Sequence, residues 1–233
     1  MSTFDEGWYR DVTEFAQHTR WFNGITGFLT VLLIALLALM VCYAGWRAWR
    51  RSDHIHATAA VWTVISCGIS VGCGLALKQV FHEARPCRTL PNVTTVQACP
   101  GPTDYSFPSD HATVAAALAA GLWLINRRLG VIGAALALAE GYSRVYLGQH
   151  YPHDVLAAYL LSGLIVLGGW RLIRSPLLRL ESRIPPRLRD RRDTDEVTEA
   201  GAASTDGERM RAGGAVKPAA DDASADAARI MTE

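Results

Sequence analysis

The sequence has no cluster of carboxylates of the kind that holds Mg²⁺, no cysteine and histidine spacing that suggests zinc, and no basic stripe interleaved with aromatics. The first two absences argue against a metal cofactor, because hard cations want several oxygen ligands and zinc wants closely spaced thiolates or imidazoles. The third leaves nucleic-acid binding without support. No internal repeat is evident. The basic flank follows the first apolar run, and that run is longer than a typical signal-peptide core, so a cleaved signal peptide is not expected. Charge is scarce: 19% of the 233 residues are charged against 50% hydrophobic, and the net charge of +1 hides a very uneven distribution.

What the chain has instead is long uncharged runs. Residues 25–46 and 57–77 are stretches of 22 and 21 residues without a charge, and about 18 or more such residues suffice for a helix to cross a hydrocarbon core ~30 Å thick. Residues 154–170 open on one acid and then run apolar. Residues 111–126 and 129–139 are shorter and rich in Ala, Gly and Leu, and the second can extend to Gly148. A tight turn at Asn126, Arg127 and Arg128 would join them. The expectation is an all-α, polytopic membrane bundle of about five transmembrane helices. The bland alternative for the short pair is a buried hairpin of a soluble domain.

Lys and Arg near span ends mark the cytoplasmic side. Arg47, Arg50 and Arg51, then Arg127 and Arg128, then Arg171, Arg174, Arg179 and Arg183 all fall on one side of a five-span arrangement. That side is assigned to the cytoplasm, which places the acidic N-terminus outside. Three regions follow. Residues 1–24, with Phe4, Trp8, Tyr9, Phe15, Trp21 and Phe22 among charges, suit an amphipathic segment at the outer interface. Residues 25–174 form the membrane domain. Residues 175–233 begin basic, and beyond about Pro186 are too polar to bury a core, as a disordered cytoplasmic tail would be. Cys42, Cys67 and Cys73 fall inside spans and read as small core residues. Cys87 and Cys99 bracket an outer loop in an oxidising setting, where a disulfide is plausible.

Three polar segments fall on the outer side, although the topology rests on arginines of the other side. Lys78 and Arg85 are seven residues apart, about two turns, so a helix continuing outward would point both cations one way. Phe107-Pro108-Ser109-Asp110-His111 starts the third span, where free backbone N–H groups and the helix dipole suit an anion. Ser143-Arg144 is followed after five residues by His150 and then by Asp154, four residues on and on the same helix face. A carboxylate on one imidazole nitrogen fixes the tautomer and leaves the other nitrogen free to attack. Each piece has an ordinary reading alone: snorkelling cations, an N-cap serine, a structural His–Asp pair. Together they would surround one tetrahedral oxyanion, and bidentate arginine suits phosphate. His54, His56, His82 and His153 have no such partners in the sequence and read as surface residues.

These segments resemble the signature of the type 2 phosphatidic acid phosphatase superfamily, which also contains bacterial class A acid phosphatases, glucose-6-phosphatase and vanadium haloperoxidases. The pattern is Lys, six residues, Arg-Pro; then Pro-Ser-Gly-His; then Ser-Arg, five residues, His, three residues, Asp. The first and third match at every defined position, and Asp110 replaces Gly in the second. The resemblance covers roughly residues 25–174. It implies His150 as nucleophile, Asp154 as its orienting partner and His111 as general acid. Lys78, Arg85, Ser109 and Arg144 would bind phosphoryl oxygens, with Asp110 adding a backbone N–H, and no metal or other cofactor would take part. Phe-Pro-Ser-Asp-His resembles the bacterial undecaprenyl-diphosphate phosphatase branch. The implied partners are a phosphorylated lipid substrate and the lipid bilayer, with the active site on the extracytoplasmic side of the plasma membrane. A phosphatase of phosphatidic acid, phosphatidylglycerol phosphate or another phosphorylated lipid is the alternative enzyme. A non-catalytic lipid-binding or transport protein is the alternative of another class.

Overall fold

The computed structural model describes residues 3–183, and the tail expected beyond about Pro186 lies outside the described residues. Helix α1 (Thr3–His18) is followed by α2 (Arg20–Arg50), α3 (His54–Phe81), the single turn α4 (Pro86–Thr89), α5 (Asp110–Ile125), α6 (Arg127–Tyr146) and α7 (Pro152–Gly163). A π-helical segment, Leu164–Gly168, carries α7 into α8 (Gly169–Arg183). There is no strand among the described residues.

Three stretches are long and apolar enough to cross a membrane: Arg20–Arg50, His54–Thr89 and Pro152–Pro176. Helix α5, with 16 residues, is shorter, and the 20 residues of α6 include Arg127, Arg128, Glu140 and Arg144. Less than a third of each long apolar window is buried inside the protein. Phe28, Val31, Leu39, Val61, Val64 and Leu75 are exposed, whereas Thr63, Ser66 and Ser70 are buried. A soluble core has the opposite arrangement; a lipid-facing one tolerates apolar residues outside. The buried hydroxyls are satisfied within their own helix, Thr63 Oγ1 donating to Ala59 O at 2.7 Å and Ser70 Oγ to Ser66 O at 2.8 Å.

Helix α5 is the centre of the bundle, buried along most of its length through Ala112, Ala115, Ala116, Ala117, Ala119 and Leu122. Small residues let helices approach closely where apolar burial gives no preference over lipid. At Gly121 an added Cβ would lie 2.1 Å from Thr63 Cγ2, so α3 and α5 meet there backbone to side chain. Asn126 ends α5 in extended geometry and caps α6, its Oδ1 accepting from the N–H groups of Arg128 and Leu129 at 2.9 and 3.2 Å.

Three expectations need correction. The aromatic residues expected on one N-terminal amphipathic segment are divided between two helices: α1 closes at His18, and Trp21 and Phe22 belong to α2. Helix α1 also buries Tyr9, Val12 and Ala16 in a cluster with Tyr146, Leu147 and Tyr151. Cys42 and Cys73 are exposed and Cys67 is intermediate, because α2 and α3 turn most of their surface outward. Finally, α3 does not continue to Arg85. It closes at His82, which sits in the left-handed region (φ 47°), and Arg85 is extended ahead of α4.

Candidate active site

The ends of α3 and α6 and the starts of α5 and α7 meet at one pole of the bundle. After α6 the chain turns through Gly148, whose φ of +78° favours glycine, and an added Cβ would lie 2.6 Å from Thr95 Cγ2. Tyr9 of α1 donates to the Gly148 carbonyl at 3.1 Å. His150 follows, and Pro152 opens α7 at its first turn, where no backbone donor is required. Asp154 accepts from the Tyr151 N–H at 2.9 Å and from Ser106 Oγ at 2.5 Å.

His150 is 2% exposed. Its Nδ1 lies 2.9 Å from the Ser106 carbonyl, an acceptor only, so Nδ1 carries the proton and Nε2 keeps its lone pair. Asp154 Oδ2 lies 3.4 Å from the same Nδ1, too far for a strong hydrogen bond, and acts mainly through its charge. The orienting role expected of Asp154 is therefore shared with a backbone carbonyl. Burial pushes the His150 imidazole below its ordinary range, the Arg85 and Arg144 charges push the same way, and Asp154 opposes them. The free imidazole is thus neutral near pH 7.

Arg85 Nη1 lies 3.2 Å from His150 Nε2 and donates to the Gln149 carbonyl at 3.0 Å. Its Nε and Nη2 take the Asp104 carbonyl and carboxylate at 3.0 and 2.9 Å. Lys78 Nζ donates to Asp110 Oδ2 at 2.6 Å and lies 3.7 Å from Asp104 Oδ1. Burial raises the Asp104 carboxyl, but the Arg85 hydrogen bond and the Arg85 and Lys78 charges outweigh it and hold it below the usual carboxylate range. Lys78, Arg85 and Arg144 are each less than a tenth exposed. Five buried side-chain atoms have no hydrogen-bond partner among the described residues: Ser109 Oγ, Arg144 Nε, both Glu140 carboxylate oxygens and Asp154 Oδ1. The Ser109 hydroxyl at the start of α5 and the Arg144 Nε–H in the last turn of α6 are groups that a tetrahedral oxyanion would satisfy. His111, half-buried one residue into α5, lies within electrostatic reach of Arg144, His150, Asp110 and Arg85.

The structure thus brings together Lys78, Arg85, Ser109, Asp110, His111, Arg144, His150 and Asp154. Asp110 contributes its side chain to Lys78, in addition to the backbone N–H expected of it. Cys87 and Cys99 are joined as a disulfide with a Cα–Cα distance of 6.0 Å. The loop they close is pinned to the His150 turn, Gln97 N donating to Leu147 O at 3.4 Å and Gln149 Nε2 to Ala98 O at 3.4 Å. Asp104 and Ser106 lie just beyond it, and neither carries a sequence signal: Ser106 gives its carbonyl to His150 and its hydroxyl to Asp154 only because the loop folds back onto α7.

His153 is the clearest correction. It is half-buried rather than a surface residue, with Nδ1 2.6 Å from Asp5 Oδ2 of α1 and Nε2 3.1 Å from Glu83 Oε1 and 3.3 Å from Asp154 Oδ1. The Glu83, His153 and Asp154 ligand atoms all lie within 4.8 Å of one another, a spacing open to a divalent ion. An imidazolium between carboxylates satisfies the same geometry, tying α1 and the end of α3 to Asp154. The His-Asp spacing that flags Asp154 could not reveal this, because the partners are 148 and 70 residues away in sequence.

The sequence pattern of the PAP2 superfamily matches residues 57–176. An undecaprenyl-diphosphatase of Sulfolobus acidocaldarius is 37% identical over 108 residues, 46% of this chain and 48% of that protein. Undecaprenyl-diphosphatase BcrC of Bacillus subtilis is 34% identical over 120 residues, 50% of this chain and 60% of that protein. The chain thus spans about half the length of these curated relatives. The crystal structure of Aquifex aeolicus LpxE superposes with a TM-score of 0.57 at 19% identity, covering 71% of this chain and 94% of that one, a likeness of fold. With its long apolar helices, the protein is an integral membrane protein.

Proposed function

Because the chain belongs to the PAP2 superfamily, we propose that it is a metal-independent membrane phosphatase that hydrolyses a polyprenyl diphosphate, of undecaprenyl type, to the monophosphate. One observation carries the chemistry: His150 has Nδ1 committed to the Ser106 carbonyl while Nε2 faces the Arg85 guanidinium. In this reading the terminal phosphoryl group takes the place of the Asp104 and Asp110 carboxylates on Arg85 and Lys78, and its remaining oxygens meet Arg144 and Ser109. Nε2 attacks phosphorus, a P–N bond forms, and the bridging P–O bond breaks. His111 gives its proton to the departing oxygen. Water, deprotonated by His111, then attacks phosphorus, the P–N bond breaks with its electron pair returning to Nε2, and inorganic phosphate and neutral His150 are released. The cations stabilise the charge on the transferring group, where electrostatic preorganisation has its largest effect.

The diphosphate substrate is supported by the names of the two relatives and by Asp110 within Phe-Pro-Ser-Asp-His. The outer location of the site, in a five-span arrangement with a cytoplasmic tail, is supported by the arginines gathered at the opposite pole.

Rapid-quench trapping with ³²P-labelled substrate tests the mechanism. An acid-labile phosphoenzyme should form on the wild type and be absent from His150→Ala. Equal trapping on that variant would remove His150 as the nucleophile. Phosphate release from a panel of solubilised lipid phosphates tests the substrate, with undecaprenyl diphosphate expected to be fastest. A faster phosphomonoester lipid would move the reading to phosphatidic acid or phosphatidylglycerol phosphate. Activity should survive chelation, and loss restored by Mg²⁺ would overturn the metal-free chemistry.

A further inference from the structure

The pole opposite the candidate site contains a second concave feature that the phosphatase reading does not use. A cavity of about 1350 Å³ opens between the end of α2, the α5–α6 turn and the end of the α7–α8 helix. Five guanidinium groups line it, those of Arg47, Arg51, Arg127, Arg171 and Arg174. Among the described residues none of the five has a carboxylate within 4.0 Å, whereas every described ion pair of Lys78 and Arg85 lies at the other pole. The cavity's one acid, Asp53, is engaged by His56 at 2.7 Å. Five cations gathered in one concavity, with no ion pair among the described residues, repel one another unless an anion sits among them.

The rest of the lining identifies the anion's body. Tyr43, Leu160, Leu164, Leu167 and Trp170 share the cavity with the arginines. Leu160 and Leu164 are 68% and 73% exposed. An apolar wall running from a ring of arginines along membrane-spanning helices fits one molecule with a phosphate head and aliphatic chains. The π-helical Leu164–Gly168 lies on this wall, and its Val166 carbonyl is held by Trp62 Nε1 at 2.9 Å. Such segments interrupt a helix where side chains must be re-aimed and recur at functional sites.

We propose that this cavity is a binding site for an anionic phospholipid of the leaflet at the arginine-rich pole, its phosphate held by Arg47, Arg127 and Arg171 and its chains against Leu160 and Leu164. Basic pockets between transmembrane helices bind acidic headgroups in this way, and each guanidinium adds to affinity for an acidic lipid. The site lies at the far end of the helices from His150 and stands independently of the phosphatase reading.

Native mass spectrometry of the full-length protein with matched phosphatidylglycerol and phosphatidylcholine tests it. The wild type should retain phosphatidylglycerol on the order of tenfold over phosphatidylcholine. The triple substitution Arg47→Ala, Arg127→Ala and Arg171→Ala should abolish that preference. Arg50→Ala with Arg128→Ala, at the same pole but outside the cavity, should keep it, and all variants should turn over substrate at the wild-type rate. Equal retention of the two lipids by the wild type would overturn the proposal without reference to any variant. So would an equal loss in the control variant, which would make the effect one of general surface charge. Displacement of the lipid by millimolar inorganic phosphate would mark a free-anion site.

Discussion

The two poles of the bundle treat their cations in opposite ways. Lys78, Arg85 and Arg144 are buried, and Lys78 and Arg85 are tied to carboxylates and carbonyls at stated distances. Arg47, Arg51, Arg127, Arg171 and Arg174 are exposed around a wide cavity and carry no ion pair among the described residues. A charge drawn into a low-dielectric setting is costly unless it is paired, and in return it acts strongly on whatever replaces its partner. A charge left at the surface is screened and acts weakly, singly, and chiefly on the membrane. In the proposed reading, the first pole changes the energy of a transition state, and the second sets orientation and lipid contact.

Arginine removal tests that contrast most sharply. Arg85→Ala should lower kcat/KM for phosphate release by about 10³-fold, since it removes the cation 3.2 Å from His150 Nε2, the proposed nucleophile, and leaves Asp104 without its main partner. Arg128→Ala at the other pole should leave kcat/KM unchanged and shift stability by no more than about 0.5 kcal/mol. Comparable losses from the two would dissolve the distinction.

Asp154→Asn should act less strongly, costing about 10–100-fold in kcat. In a triad whose tautomer depends on the acid alone, the same change is far more damaging. Here the Ser106 carbonyl already holds Nδ1–H at 2.9 Å, against 3.4 Å for Asp154. A loss well beyond 100-fold with the fold intact by thermal melting would return the orienting role to the carboxylate.

A pH profile separates the poles by burial. His150 is held below its ordinary range chiefly by burial, so its neutral, nucleophilic form persists as pH falls through about 6.5. The acid limb of kcat/KM should therefore lie below that value and not at it. Stability follows the same sign: below about 6.5 the unfolded chain binds a proton at His150 that the folded chain refuses, so this residue destabilises the fold progressively as pH falls. An acid limb centred at 6.5 or above would mean that Asp154 outweighs burial.

Much of this architecture was legible in the chain because its physics is local or periodic. The charge-free runs 25–46 and 57–77 lie within α2 and α3, and the tight turn expected at Asn126 falls at the α5–α6 junction. The convergence of Lys78, Arg85, Arg144, His150 and Asp154 could be read from motif spacing combined with alternating helix direction. What was not legible depends on distant or featureless groups. Asp104 gains meaning only where its loop folds back onto Arg85, and His153 only where α1, from the far end of the sequence, supplies Asp5. The left-handed break at His82 left no mark either: Lys78 and Arg85 converge through a turn, although spacing suggested a continuous helix. Cysteine burial misled because burial inside a bilayer is not burial inside a protein.

The smallest expected effect concerns the disulfide, and it sharpens the comparison by asking how much of the site's rigidity is covalent. Cys87 and Cys99 close a loop with a sequence separation of 12, a constraint worth about 2–4 kcal/mol through the unfolded chain. Noncovalent contacts hold the same loop: Arg88 donates to the Pro100 carbonyl, Gln149 to Ala98, and Gln97 to Leu147. The residues that touch the site, Asp104 and Ser106, lie beyond Cys99 and are anchored separately to Arg85 and His150. Replacing both cysteines by serine should therefore lower the melting temperature while changing kcat by no more than a few-fold. The same pair reports orientation: after mild reduction of intact cells, a membrane-impermeant maleimide should label Cys87 or Cys99, while a cysteine placed at Arg128 should react only once the membrane is opened. A large drop in kcat at unchanged stability would show that the disulfide positions the catalytic groups directly, and labelling in the reverse order would exchange the sides assigned to the two poles.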